Sequence, residues 1–311
     1  MQVNFTIIIP HKNLPLLLER LLKSIPERDD LEIIVVDDHS DPDKVDFNRF
    51  PGKDRKNLTL LTNGGERGAG HARNYALPYA KGKWVLFADS DDFFNSGFDT
   101  FLSDYVDSEA DIVYFNANSV DTYTYEPSNR ADHVHEFFEE YDKNHKHGEL
   151  IMRHLFTEPW CKMIKRSLIE NNSISFDDTS IHEDVRFACL IGLYAKTVLI
   201  DNRQLYCVTS RMESLSRTQN PKTFLDELKV FAWWKKYLLD NHIPLELAKF
   251  DFRAYKFTRH LYKNNALFCA EYRILRQVGF SHVYILGQII KYLWKSVGYK
   301  MNRFSIGAQS S

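Results

Sequence analysis

The chain reads as an α/β protein: a mainly parallel, Rossmann-like sheet flanked by helices, followed by a helical C-terminal appendage. Three observations predict this. Apolar runs of four or five residues alternate with helix-period segments through the first 115 residues, the pattern of repeated βα units. Those runs lack strict polar alternation, as strands covered on both faces do. After Pro221 the pattern turns helical and the charge balance changes with it. Residues 222–311 carry 15 Lys+Arg against 6 Asp+Glu, although the whole chain holds 40 against 42. A division into an α/β domain, 1–221, and a helical region, 222–311, follows.

Phe5–Ile9, Glu32–Val36, Leu58–Leu61, Trp84–Ala88 and Ile112–Phe115 are the predicted strands of the first half. Between them, Leu14–Ile25 places Leu14, Leu17, Leu18, Leu21, Leu22 and Ile25 on one helical face. Gly68–Ala80 and Ser96–Val106 are the next two predicted helices. Residues 116–150 are polar and rich in histidine and carboxylates, which predicts a surface excursion on the acceptor side of any site. Order returns with Leu150–Phe156 and a short segment at Trp160–Ile164. A helix Val185–Tyr194 and two strands, Thr197–Ile200 and Leu205–Val208, complete the domain.

Composition excludes several classes. The four cysteines are widely spaced and form no C-x-x-C pair, so neither a disulfide framework nor a structural zinc site is indicated and a reducing cytoplasm fits. The N-terminal apolar run is cut at once by Pro10, which argues against a signal peptide. Gln277–Ile290, the longest charge-free apolar stretch, falls short of the roughly 20 residues a membrane span needs. The basic tail matches no nucleic-acid module, so a nucleic-acid partner is not expected.

Polar residues gather where the predicted strands end, the rim at which open parallel sheets bind ligands. Strand one ends at Pro10-His11-Lys12-Asn13 and strand two at Asp37-Asp38-His39-Ser40. Strand three leads to a glycine-rich stretch, Asn63 to Asn74, and strand four to Asp89-Ser90-Asp91-Asp92. Three carboxylates in four residues repel one another, so a hard cation such as Mg²⁺ or Mn²⁺ is the natural neutraliser, and a phosphate-bearing ligand its natural companion. Gly68-x-Gly70 opens like a dinucleotide fingerprint, but Arg73 stands where that motif needs glycine or alanine, and no acid closes a following strand. A dehydrogenase is therefore disfavoured.

In this order, Ile-Ile-Ile-Pro10, Val-Val-Asp37-Asp38-His39-Ser40, Gly68-x-x-x-Ala72-Arg73-Asn74, Phe87-Ala88-Asp89-Ser90-Asp91-Asp92 and His182-Glu183-Asp184 resemble the family 2 glycosyltransferases with the GT-A nucleotide-diphospho-sugar transferase fold. The likeness covers about residues 4–218 and is nearest to bacterial enzymes of capsular, exopolysaccharide and lipopolysaccharide synthesis. It implies an inverting transfer of a hexose or N-acetylhexosamine from a nucleotide sugar, UDP-linked by expectation, to a hydroxyl of a surface glycan or lipid-linked glycan. It further implies that Pro10, Asp38, Arg73 and Asn74 frame the nucleoside and phosphates, that Asp89 reaches ribose or sugar, and that Asp91 coordinates Mn²⁺ or Mg²⁺. Asp184 becomes the general base, with Glu183 beside it. Arg211 and Ser214 become diphosphate donors, and Trp160 and Lys162 line the acceptor side. Departure of a nucleoside diphosphate needs charge stabilisation, and the attacking alcohol needs one positioned carboxylate, so the roles match the chemistry.

Val283, Leu286, Ile290, Leu293 and Val297 recur at helical spacing beside Lys291, Trp294, Lys295 and Tyr299. That stripe suits the inner face of a cell membrane, where peripheral contact would bring the enzyme to lipid-linked acceptors, or a second subunit. Two rivals are a sugar-phosphate nucleotidyltransferase, whose glycine-rich loop after strand one is missing, and a non-catalytic nucleotide-sugar-binding partner subunit.

Overall fold

The computed structural model describes residues 2–211, 221–244 and 265–290. The chain divides into two compact units, Met1–Thr218 and Gln219–Ser311. In the first, β1 (Phe5–His11) is buried along its whole length and pairs in parallel with β2 (Leu31–Asp37), which pairs in parallel with β3 (Leu58–Thr62). The chain then crosses to the other side of β1 to form β4 (Trp84–Phe87). β1 is thus the switch point of the sheet. Pro10 fits there because the β1–β4 ladder ends at Ile8↔Phe87; its missing N–H falls on that side, beyond the last ladder bond.

Eight strands complete the sheet in the order β3-β2-β1-β4-β7-β6-β8-β5, with β5 at Phe93–Phe94, β6 at Ile112–Asp121, β7 at Lys162–Lys165 and β8 at Val198–Ser210. β7 runs antiparallel to both β4 and β6, so the Glu158–Cys161 turn that feeds β7 lies at the rim where β4 gives way to Asp89. α1 (Pro15–Ser24) opens with Pro15, whose fixed φ suits a first helical turn, and buries Leu18, Leu21 and Leu22. α2 (Ala69–Ala76) enters the β3–β4 crossover, and α3 (Phe98–Tyr105) follows β5.

Two stretches differ from the sequence expectation. Residues 116–150 are not a loop: β6 continues to Asp121, and α4 (Asp132–Lys143) and α5 (His145–Leu155) follow. α4 buries only Val134 and Phe138 of its twelve residues, too narrow a stripe to stand out in a polar sequence. The two strands expected around 197–208 are one, because a bulge against Phe115–Ala117 absorbs the polar Asn202 and Arg203; Asn116 Nδ2 donates to Asn202 Oδ1 at 2.7 Å.

α6 (Arg166–Asn171) and α7 (Asp184–Tyr194) follow β7 in the first unit; in the second, α8 (Pro221–Asp240), α9 (Asn265–Gln277) and a helix at 282–290 are described. Ala232, Leu275, Phe280, Ile285 and Ile289 form its core. Val283, Leu286 and Ile290 are exposed at 81%, 53% and 54%; the rest of that stripe, Leu293 and Val297 with their basic and aromatic neighbours, lies outside the described residues. No described helix is long and apolar enough to cross a membrane.

Candidate active site

The acidic loop after β4 is held from three directions. Tyr206 Oη accepts the Asp89 amide N–H at 2.8 Å, Thr209 N–H donates to Asp92 Oδ1 at 2.6 Å, and Thr209 Oγ1 donates to the Asp91 carbonyl at 2.6 Å. Arg20 of α1 donates to the same carbonyl and, at 2.8 Å, to Thr122 O. Asp92 is thereby spent on the scaffold: it is buried, and burial plus the charges of Asp91 and Asp89 raise its carboxyl well above the ordinary range. Burial and the Asp89 charge raise Asp91 too, with Arg211 opposing. Two hard carboxylates, Asp89 and Asp91, held on a fixed backbone, fit a divalent cation.

Arg73 joins this loop to the start of α7 (Asp184–Tyr194). Its guanidinium donates to Asp89 Oδ1 at 2.6 Å and to Glu183 Oε1 at 2.9 Å, and stacks 5.2 Å from the Phe176 ring centroid. At 3% exposure, with Nε buried and unpartnered, burial works against its charge. Asp89, Glu183 and Asp184 more than offset that and hold it firmly protonated. Gly70 makes the approach: a Cβ there would lie 2.7 Å from Glu183 Cγ and 3.1 Å from Asp177 O. Beside Glu183, the Asp184 carboxyl is raised well above the ordinary range by burial first, then by the charges of Glu183 and Glu158, with Arg73 opposing. A carboxylate of raised proton affinity is a better proton acceptor than an ordinary one.

The residues expected at the nucleoside are bonded within the protein. Asp38 is buried and already bonded on both oxygens: Oδ1 accepts from Asn63 Nδ2 and Oδ2 from the Gly68 amide, each at 3.0 Å. It anchors the glycine turn, whose Gly68 has φ 137°, a conformation glycine alone adopts readily. Leu14 N–H donates to His11 Nε2 at 3.3 Å, which leaves His11 Nδ1 to donate to Asp37 Oδ1 at 3.2 Å. Burial raises the Asp37 carboxyl, but the bonds from His11 and Ser40 outweigh it and hold the group below its ordinary value.

Other predicted ligands are placed differently from expectation. Asn74 donates to Phe176 O and accepts from Phe176 N–H, both at 2.9 Å, pinning the segment before α7. Trp160 is buried and stacks on Tyr206, centroids 5.8 Å apart. Lys162, at 1% exposure, sits with Nζ 3.5 Å from the Phe156 ring centroid and donates to Glu158 O; burial lowers its ammonium to about 8. Both side chains are packed inside the protein. Pro10 is buried within β1. Arg211 lies with Nε 3.1 Å from Asp91 Oδ2. Ser214 lies outside the described residues.

Sequence reasoning assigned no supporting role to Tyr206, Thr209, Arg20, Asn63 or the pair His133–Glu158, whose Nε2 and Oε1 are 2.8 Å apart. Only Asn63, one residue before the glycine turn, carried a readable signal. A second polar group, Glu66, His71 and Asp178, has ligand atoms within 4.8 Å of one another, and Glu66 and Asp178 are exposed.

Residues 6–172 match the family described as Glycosyl transferase family 2. The chain belongs to that family. Poly(ribitol-phosphate) beta-N-acetylglucosaminyltransferase TarS of Staphylococcus aureus is 26% identical over 270 residues, 83% of this chain and 45% of that protein. Glycosyltransferase GlyA of Streptococcus pneumoniae is 27% identical over 231 residues, 70% of this chain and 32% of that protein. The chain thus spans less than half the length of these curated relatives. A crystal structure of S. aureus TarS 1-349 in complex with UDP-GlcNAc superposes with a TM-score of 0.57 at 22% identity, over 75% of this chain and 66% of that one. The fold is GT-A.

Proposed function

We propose that the chain is a metal-dependent, inverting glycosyltransferase that moves a hexose or N-acetylhexosamine from a UDP-linked donor to a hydroxyl of a surface-glycan or lipid-linked glycan acceptor. Family membership supports the reaction class, and the name of the TarS relative supports the choice of donor sugar and of a polyol acceptor. One observation carries the site: Arg73 bonds Asp89 and Glu183 at once. Acids far apart in sequence thereby share one guanidinium at one rim.

In this reading residues 1–221 are catalytic, and residues 222–311 contact membrane or a second subunit on the cytoplasmic side. Asp184 takes the acceptor hydroxyl proton as that oxygen attacks the anomeric carbon, and the bond to the nucleoside diphosphate breaks on the opposite face. Arg73 holds Asp89 and, through Glu183, the start of the helix that carries the base. Glu183 keeps Asp184 basic by its charge. Asp91 and Asp89 would hold Mn²⁺ or Mg²⁺, which would supply charge stabilisation to the departing diphosphate. Arg211 lies close enough to that loop to add a donor to the diphosphate.

A thermal-shift panel tests this, because ligands of the folded state raise apparent stability by mass action. UDP and UDP-sugars with Mn²⁺ are expected to stabilise the protein, and nicotinamide dinucleotides to do nothing. Stabilisation by nicotinamide dinucleotides and by no sugar nucleotide would overturn the proposal.

A further inference from the structure

Asp89 and Asp91 are held in different ways. Asp89 accepts a direct hydrogen bond from Arg73, which is locked by Glu183 and the Phe176 ring. The Asp91 backbone is just as firmly tied, through its carbonyl, to Arg20 and Thr209. Its carboxylate is not. It meets Arg211 at 3.1 Å, but the Arg211 Nε–H, buried, is aligned on no acceptor. The contact is one of charge without a directed hydrogen bond. Arg211 follows the last residue of β8, Ser210, and its side chain keeps some solvent access, so rotation about its own torsions releases it.

We infer that Arg211 and a divalent cation are alternative partners of Asp91: the guanidinium stands in for the cation in the empty protein and moves to the diphosphate when cation and nucleotide arrive together. This rests on the nucleotide-sugar reading of the same rim. A doubly charged ion and a guanidinium cannot share one carboxylate oxygen without strong repulsion. A cation arriving alone must expel Arg211 and leave it without a counter-charge. A cation arriving with a diphosphate brings the anion that receives Arg211. Cation and nucleotide therefore bind cooperatively beyond what direct bridging gives, and Arg211 is the residue through which that extra coupling passes.

The test is Mn²⁺ binding, read by the electron paramagnetic resonance of free Mn²⁺, with and without UDP, for the unaltered full chain and for Arg211→Gln, Arg211→Lys and Asp91→Asn. Without UDP, Arg211→Gln is expected to bind Mn²⁺ more tightly than the unaltered protein, by roughly 5- to 150-fold as a single coupling of this kind allows. Arg211→Lys, which keeps the charge, should stay weak, and Asp91→Asn should bind least. With UDP the advantage of Arg211→Gln should shrink or reverse. Equal or weaker Mn²⁺ binding by Arg211→Gln without UDP would overturn the inference, as would unchanged binding by Asp91→Asn. UDP-induced thermal shifts on the same samples separate this failure from that of the nucleotide-sugar reading, which alone predicts stabilisation by UDP. Melting curves identify any variant that does not fold, and Arg211→Lys against the unaltered chain then carries the comparison: a large change in its Mn²⁺ affinity without UDP contradicts the exchange.

Discussion

Replacing Arg73 by lysine probes the bridge on which the site is built. The guanidinium makes two charge-assisted bonds in fixed directions, to Asp89 Oδ1 at 2.6 Å and Glu183 Oε1 at 2.9 Å. An ammonium is a compact point charge and serves only one of the two well. The other carboxylate is left facing a low-dielectric pocket with one strong bond missing, a loss of about 2 kcal/mol. For a unit of this size that lowers the melting temperature by roughly 4–8 °C. The effect on turnover should be larger, because Asp89 and the start of α7 lose their common tether; a displacement near 1 Å costs on the order of 100-fold in kcat/KM. Differential scanning calorimetry and initial rates measure both. A lysine variant that melts within a degree of the unaltered protein and keeps kcat/KM within about threefold would refute the reasoning, since the two acids would then be positioned by something else.

Burial and the charges of Glu183 and Glu158 raise the Asp184 carboxyl, and a base works only when deprotonated. The acid limb of the kcat/KM profile should therefore lie above the ordinary carboxylate value of about 4, and Glu183→Gln should move it to lower pH. Gly70→Ala should cost activity out of proportion to stability, because the added methyl, 2.7 Å from Glu183 Cγ, pushes that side chain off Arg73 while alanine favours the helix by roughly 1 kcal/mol; paired melting curves and rates decide. Lys162 is lowered to about 8 in the folded protein from 10.5. Between those values the unfolded chain binds the extra proton, so stability rises with pH across that window, by up to roughly 3 kcal/mol. Urea titrations at several pH values should show that slope in the unaltered chain and lose it in Lys162→Met.

Much of the fold is written in the sequence where one physical rule acts alone. β1, β2 and β4 are apolar because both faces are covered, whereas the edge strand β3 is largely exposed; α1 repeats its leucines at helical spacing. Where two influences compete, the reading fails. α4 hides two buried residues among carboxylates and histidines, and β8 carries a polar bulge that imitates a turn. The site divides the same way. Arg73, Asp89 and Glu183 stand out in the sequence because reactive residue types cluster at strand and helix ends, and the fold brings these three into contact. Their supports do not stand out: Tyr206 and Thr209 meet the acidic loop from 117 residues away in sequence, and no local pattern marks such a contact. Asn74, Trp160 and Lys162 show the converse, since residue type does not reveal whether a polar or aromatic side chain turns outward to a ligand or inward to Phe176, Tyr206 or Phe156.

A crystal structure with UDP and Mn²⁺, with anomalous scattering recorded for manganese, tests most directly the claim that one rim serves both leaving group and base. The account predicts a single manganese peak on Asp91, the diphosphate beside it, and Asp184 opening into the same cleft. A peak at Glu66, His71 and Asp178 with none on Asp91, or a nucleotide bound where Asp184 does not reach the cleft, would contradict it.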